Sequence, residues 1–129
     1  MSQIEKHSPA IVLCTLNAKY IHASLGLRYL MANMARHGSH DLAQRTVLTE
    51  FTLAKPIQDM ALELLNQFGP ELPDRPQIIG FGVYIWNVIQ TTALVKALKA
   101  QRPRITIVWV DLKSVTKPTP KKLFNCQTL

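Results

Sequence analysis

Short uninterrupted apolar runs alternate along the chain with stretches whose apolar residues recur every three or four positions. Ile11–Leu16 (IVLCTL) is the first run, bounded by polar residues as expected of a strand buried on both faces. Leu27, Leu30, Met31 and Met34 then recur at helical spacing between Ala23 and His37, and Gly38 follows as a stop. Thr46–Phe51 (TVLTEF) reads as a second strand. Ile57, Met60, Ala61, Leu64, Leu65 and Phe68 make one helical face, opened by Pro56 and closed by Gly69-Pro70. A polar, proline-rich connection over Pro70–Pro76 leads to a third strand, Gln77–Tyr84 (QIIGFGVY). Val88–Gln101 is a third helix with Ile89, Thr92, Val95 and Leu98 on one side. Arg102-Pro103 stops it, and Ile105–Val110 (ITIVWV) is a fourth strand.

The order βαβαβαβ, with strands apolar throughout, predicts an α/β fold: a doubly wound parallel sheet, flavodoxin-like or Rossmann-like, in three αβα layers. Residues 1–110 form that domain. Residues 111–129 (DLKSVTKPTPKKLFNCQTL) break the pattern, with two prolines, four lysines and no helical period, and read as a disordered tail. Four strands are thus present, and the helix and strand that would ordinarily close such a sheet are missing.

A length of 129 residues suffices for one domain with a core and not for two. The net charge of +7 changes little: the tail carries +3, and the remaining +4 is scattered over the rest without a Lys/Arg run or an aromatic stripe. So dispersed a charge argues against a nucleic-acid partner. No run approaches the roughly 18 apolar residues of a membrane span. The N-terminus MSQIEKHSPAIVLC lacks the apolar core and cleavage site of a secretory signal. Two cysteines, Cys14 and Cys126, make neither a disulfide framework nor a metal cage, which points to a reducing cytoplasm. Cys14, in mid-strand, reads as a small buried hydrophobe.

Ligands of doubly wound sheets bind beyond the carboxyl ends of the strands, at the switch in strand order. Two segments there carry unusual content: Asn17–Gly26 (NAKYIHASLG) and Gly80–Asn87 (GFGVYIWN). Neither is a phosphate cradle, since GxxxxGK[ST] is absent and no GxGxxG joins the first strand to its helix. Gly80-x-Gly82 lies inside a strand. It admits either a flat ligand against glycine backbone and the Tyr84 and Trp86 rings, or simply tight helix–sheet packing. His7, His22, His37 and His40 have no metal-ligand spacing; His22 could orient a ligand, while His37 and His40 cap a helix or face solvent. Glu50, Asp59 and Glu63 show no catalytic pairing and no nucleophile elbow is visible, so no catalytic residue and no metal ligand is assigned.

At these same segments the chain resembles the N-terminal cobalamin (vitamin B12)-binding domain of cobalamin-dependent radical S-adenosylmethionine (SAM) enzymes. The resemblance lies in TLNAKYIHASLGLRYL (15–30), in LTEFTL with Pro56 and Ile57 after it (48–57), and in IIGFGVYIWNV (78–88) with the helix and ITIV strand beyond. Together these cover residues 11–108. The resemblance implies a corrin ring held over the carboxyl ends of the strands. It assigns Asn17, Tyr20, His22, Ser24, Leu25, Gly26, Gly82, Tyr84, Trp86 and Asn87 to the cofactor site. The DxHxxG motif that gives cobalt a histidine elsewhere is absent: His22 precedes Gly26 at the wrong spacing, with no aspartate ahead. The implied cofactor is therefore base-off cobalamin. The family's CxxxCxxC motif, whose thiolates hold a [4Fe–4S] cluster with one iron open to SAM, is also absent. This chain alone cannot cleave SAM, and its implied partner is the radical SAM catalytic domain of a parent enzyme, which would carry out methyl transfer or rearrangement.

In the family the fourth strand runs into a GGPEVSYE-like segment; here Val110–Lys117 stands in its place. One permitted set of synonymous codons for Val108–Lys117, read from its third base, spells Val-Gly-Gly-Pro-Glu-Val-Ser-Tyr-Glu. The expectation is a frameshift near Val108–Val110 that truncates a longer enzyme, leaves the tail out of frame and bares the edge of the fourth strand. The alternative is a stand-alone flavodoxin-like module that binds a ligand or docks a protein. Its receiver-domain version lacks the acidic cluster, and a flavin or nucleotide oxidoreductase lacks the phosphate loop.

Overall fold

A computed structural model describes residues 8–18, 24–111 and 125–128. Four strands, β1 (Ile11–Asn17), β2 (Thr46–Thr52), β3 (Ile78–Val83) and β4 (Thr106–Asp111), form an all-parallel sheet in the order β2-β1-β3-β4. This is the doubly wound α/β arrangement that the alternating pattern predicts, with the flavodoxin-like strand order. The helices are α1 (Leu25–Ala32), α2 (Met34–His37), α3 (His40–Gln44), α4 (Ile57–Phe68) and α5 (Val88–Gln101).

Strand alternation divides the apolar runs between two faces. Val12, Cys14 and Leu16 of β1 and Ile79, Phe81 and Val83 of β3 join Met60, Ala61, Leu64, Leu65 and Phe68 of α4 and Leu94, Val95 and Leu98 of α5 in one buried core. The α4 face is the one read from the sequence. On the other face α1 lays Leu27 against Gly82, where a Cβ would stand 3.1 Å from Leu27 Cγ and Cδ1. Helix α4 ends on Gly69, whose φ of 74° lies in the left-handed region that glycine enters without strain.

Three details of the helices differ from the sequence reading. The helix expected over Ala23–His37 is broken at Asn33, where the side-chain amide donates to the Tyr29 carbonyl (2.9 Å) and competes with the helical ladder. Helix α3 is additional, started by Ser39, whose Oγ accepts from the Leu42 N–H (3.0 Å). The buried face of α5 is Thr91, Leu94, Val95 and Leu98, so Ile89 and Thr92 point outward.

Beyond β4, Asn125–Thr128 form β5, antiparallel to β4 with Val110 opposite Cys126. The expected bare edge is therefore paired along Val108–Asp111. The rest of the lysine-rich tail, residues 112–124 and 129, lies outside the described residues, as do Tyr20 and His22. Among the described residues no helix is long and apolar enough to cross a membrane.

Candidate binding site at the carboxyl ends of the strands

β1 and β3 are neighbours, yet β1 leads to α1 on one face of the sheet and β3 to α5 on the other. The crevice between their ends is the switch point at which such sheets take ligands.

Asn87 builds one side of the crevice. It is fully buried; its Oδ1 accepts from the Tyr84 N–H (2.8 Å), and its Nδ2 donates to the carbonyls of Leu16 (3.0 Å) and Gly82 (3.2 Å). One amide thus fastens the β3–α5 turn to the ends of both strands. The Gly82 carbonyl also accepts from Thr15 Oγ1 at 3.1 Å. The Asn87 side chain is consequently engaged away from the helix, and it caps α5 with backbone alone.

Ser24 builds the other side. Its Oγ accepts from the Leu27 N–H (3.3 Å), capping α1, and shares a hydrogen bond with Tyr84 Oη at 3.0 Å. The Ser24 N–H donates to Glu50 Oε1 (2.8 Å), and Arg28 Nη2 donates to Glu50 Oε2 (2.8 Å). Glu50 is in register with Thr15 on β1, which in turn faces Gly82 on β3, so a single cross-sheet row supports the crevice from below.

Over this polar frame the Tyr84 and Trp86 rings stack with centroids 4.5 Å apart and planes 4° from parallel. Trp86 remains half exposed and Ile85 is 90% exposed. Leu25 and Tyr29 on α1, and Val88 and Ile89 on α5, are also exposed. Of the seven large apolar residues exposed among the described residues, all but Leu62 belong to the segments that follow β1 and β3. Exposed apolar groups concentrated in the two segments that leave one end of the sheet mark a binding surface more strongly than the same groups scattered over the molecule.

The residues assigned by resemblance divide accordingly. Leu25 and Trp86 face solvent, and Gly26 and Tyr84 are half-buried. Asn17, Ser24, Gly82 and Asn87 are buried and shape the site from within. At Gly82 the packing reading holds on the side of the missing Cβ, which Leu27 fills. The Asn17 carbonyl accepts from the Leu53 N–H (2.9 Å), closing the turn after β2 against the end of β1.

Sequence reasoning gave Thr15 and Arg28 no role and weighed Glu50 only as a catalytic carboxylate. Its one available signal was a lone carboxylate inside an otherwise apolar and threonine-rich strand. Cys14 is fully buried, and desolvation first, then the charges of Glu63 and Glu50, push its thiol well above the ordinary range. Among the described residues no group of three or more His, Cys, Asp or Glu side chains converges as a metal site. In comparison with known proteins the chain matches no family model, no curated protein and no solved structure.

Proposed function

We propose that this chain is a cobalamin-binding domain, a fragment of a radical SAM enzyme that binds the corrinoid at the carboxyl ends of its strands and lacks the catalytic iron–sulfur half. The observation that carries the reading is the apolar platform at the β1/β3 switch: the half-exposed Trp86 stacked on Tyr84, with Leu25, Tyr29, Ile85, Val88 and Ile89 exposed in the two segments that the Ser24–Tyr84 hydrogen bond joins. Such a surface fits the flat, largely apolar face of a corrin ring. Trp86, Ile85 and Leu25 would lie against the macrocycle and keep water from it. Tyr84, Ser24 and Asn87 would fix where those groups stand. Bound cobalamin supplies a cobalt centre able to carry a methyl group. The cluster and SAM must come from a separate catalytic domain, because Cys14 and Cys126 are the only thiols of this chain.

The same platform favours a second reading, a flavodoxin-like module that docks another protein through its exposed apolar groups. Titration with hydroxocobalamin, followed by absorbance, separates the two. Saturable binding with a base-off spectrum, weakened about tenfold or more in W86A by loss of ring contact, is the expected result. Absence of binding, or equal affinity in W86A, would overturn the corrinoid reading and leave the docking surface.

A further inference from the structure

Glu50 is not one of the exposed apolar residues of the platform, yet it touches the frame beneath it twice. One carboxylate oxygen accepts from the Ser24 N–H, and the other accepts from Arg28, each at 2.8 Å. Ser24 is buried and carries the path onward, since its hydroxyl meets Tyr84 Oη at 3.0 Å. Tyr84 in turn lies flat against Trp86. A continuous line of contacts therefore runs from β2, over the start of α1 and across the switch crevice, to the ring that the platform exposes.

We propose that Glu50 is a positioning residue for the platform: through Ser24 and Tyr84 it sets the separation of the start of α1 from the β3–α5 turn and the attitude of the Trp86 ring. The inference rests on the reading of that platform as a ligand site. Energetics favour positioning over bulk stabilisation. The Arg28 side chain is half exposed, so its ion pair with Glu50 contributes little to folding. The Ser24 N–H, by contrast, belongs to a buried residue immediately before a helix, where a donor without a partner costs enough to move the backbone. Loss of Glu50 is thus relieved most cheaply by displacing Ser24, and Tyr84 with it.

The test compares E50A, E50Q, Y84F and the double variant E50A/Y84F in a W109F background, where Trp86 is the sole tryptophan. Two readouts are taken: hydroxocobalamin affinity, and acrylamide quenching of Trp86 in the ligand-free protein. E50A is expected to bind about tenfold more weakly and to change the quenching. In E50Q the amide oxygen still accepts from Ser24, and affinity should stay within about threefold of wild type. Y84F removes one hydroxyl and keeps the ring, so it probes the same path even where E50A does not fold. The double variant should be no weaker than the worse single one, because both cut one line of contacts. Wild-type affinity and quenching in E50A and Y84F, or fully additive effects in the double variant, would overturn the proposal. Failure of the wild-type protein to bind hydroxocobalamin refutes the corrinoid reading instead. In that case the quenching of the ligand-free variants still decides whether Glu50 positions Trp86.

Discussion

Replacing Asn87 by alanine or by aspartate separates shape from hydrogen bonding at the centre of the site. The side chain is completely buried and makes three hydrogen bonds, one as acceptor and two as donor. At a net contribution of about 1 kcal/mol each, N87A should lose about 3 kcal/mol of folding free energy. That is a large share of the roughly 5–15 kcal/mol expected of a domain. With a urea dependence of about 1–3 kcal/mol per molar, the midpoint should fall by about 1–3 M. N87D keeps the acceptor for the Tyr84 N–H but turns a carboxylate oxygen toward the carbonyls of Leu16 and Gly82. Burial and those two dipoles raise its folded-state pKa above the unfolded value of about 3.9. The protonated acid can still donate, so N87D is most stable below about pH 4. As pH climbs from there toward the raised folded value, its stability falls by about 1.4 kcal/mol per unit. Urea unfolding followed by far-ultraviolet circular dichroism at several pH values measures both effects. A loss below about 1 kcal/mol in N87A, or an N87D deficit independent of pH, would refute the assignment of these bonds.

Two other perturbations test the packing. G82A places a methyl group 3.1 Å from two carbons of Leu27 and should destabilise by about 1–3 kcal/mol, with partial recovery on adding L27A; a neutral G82A in thermal melts would contradict the close approach of α1. Cys14, its thiol pushed up by burial, should resist Ellman's reagent until the protein unfolds. Because the folded chain holds that proton after the unfolded chain has released it, stability should fall above about pH 8.5, by up to about 1.4 kcal/mol per unit, and C14A should remove the slope; an identical alkaline slope in C14A would refute the linkage.

Most of the fold was legible because burial on both faces of a parallel strand leaves an unmistakable apolar run, as in Ile11–Leu16 and Ile105–Val110. The face of α4 was legible for a related reason: five of its apolar residues pack into one core. The break at Asn33 and the short α3 escaped because each turns on one polar side chain meeting one backbone group, a detail that periodicity averages away. Helix α5 misled for a physical reason. Its first turn belongs to the rim of the candidate site, where Ile89 is exposed, so apolarity there does not report the core. The two loops of the site stood out by content, whereas Glu50 did not. Its importance depends on the strand register that sets it beside Thr15 and on the loop geometry that brings Ser24 to it, and neither is written in local sequence.

The division of labour within the site has a consequence for how it recognises anything. Four of its described polar side chains are engaged within the frame: Asn87 holds two strand ends, Ser24 caps a helix and meets Tyr84, Thr15 bonds the Gly82 carbonyl, and Glu50 ties α1 to β2. Among the described residues, the outward apolar surface there is Leu25, Tyr29, Ile85, Trp86, Val88 and Ile89. Selectivity at such a surface comes from shape and apolar contact, which have no direction of their own, and its precision must be borrowed from the frame beneath. Substitutions in the two layers should therefore behave differently. Changes to the rim should alter affinity while leaving the melt in place. Changes to the frame should move both together, because the same bonds that hold the loops also aim the rings.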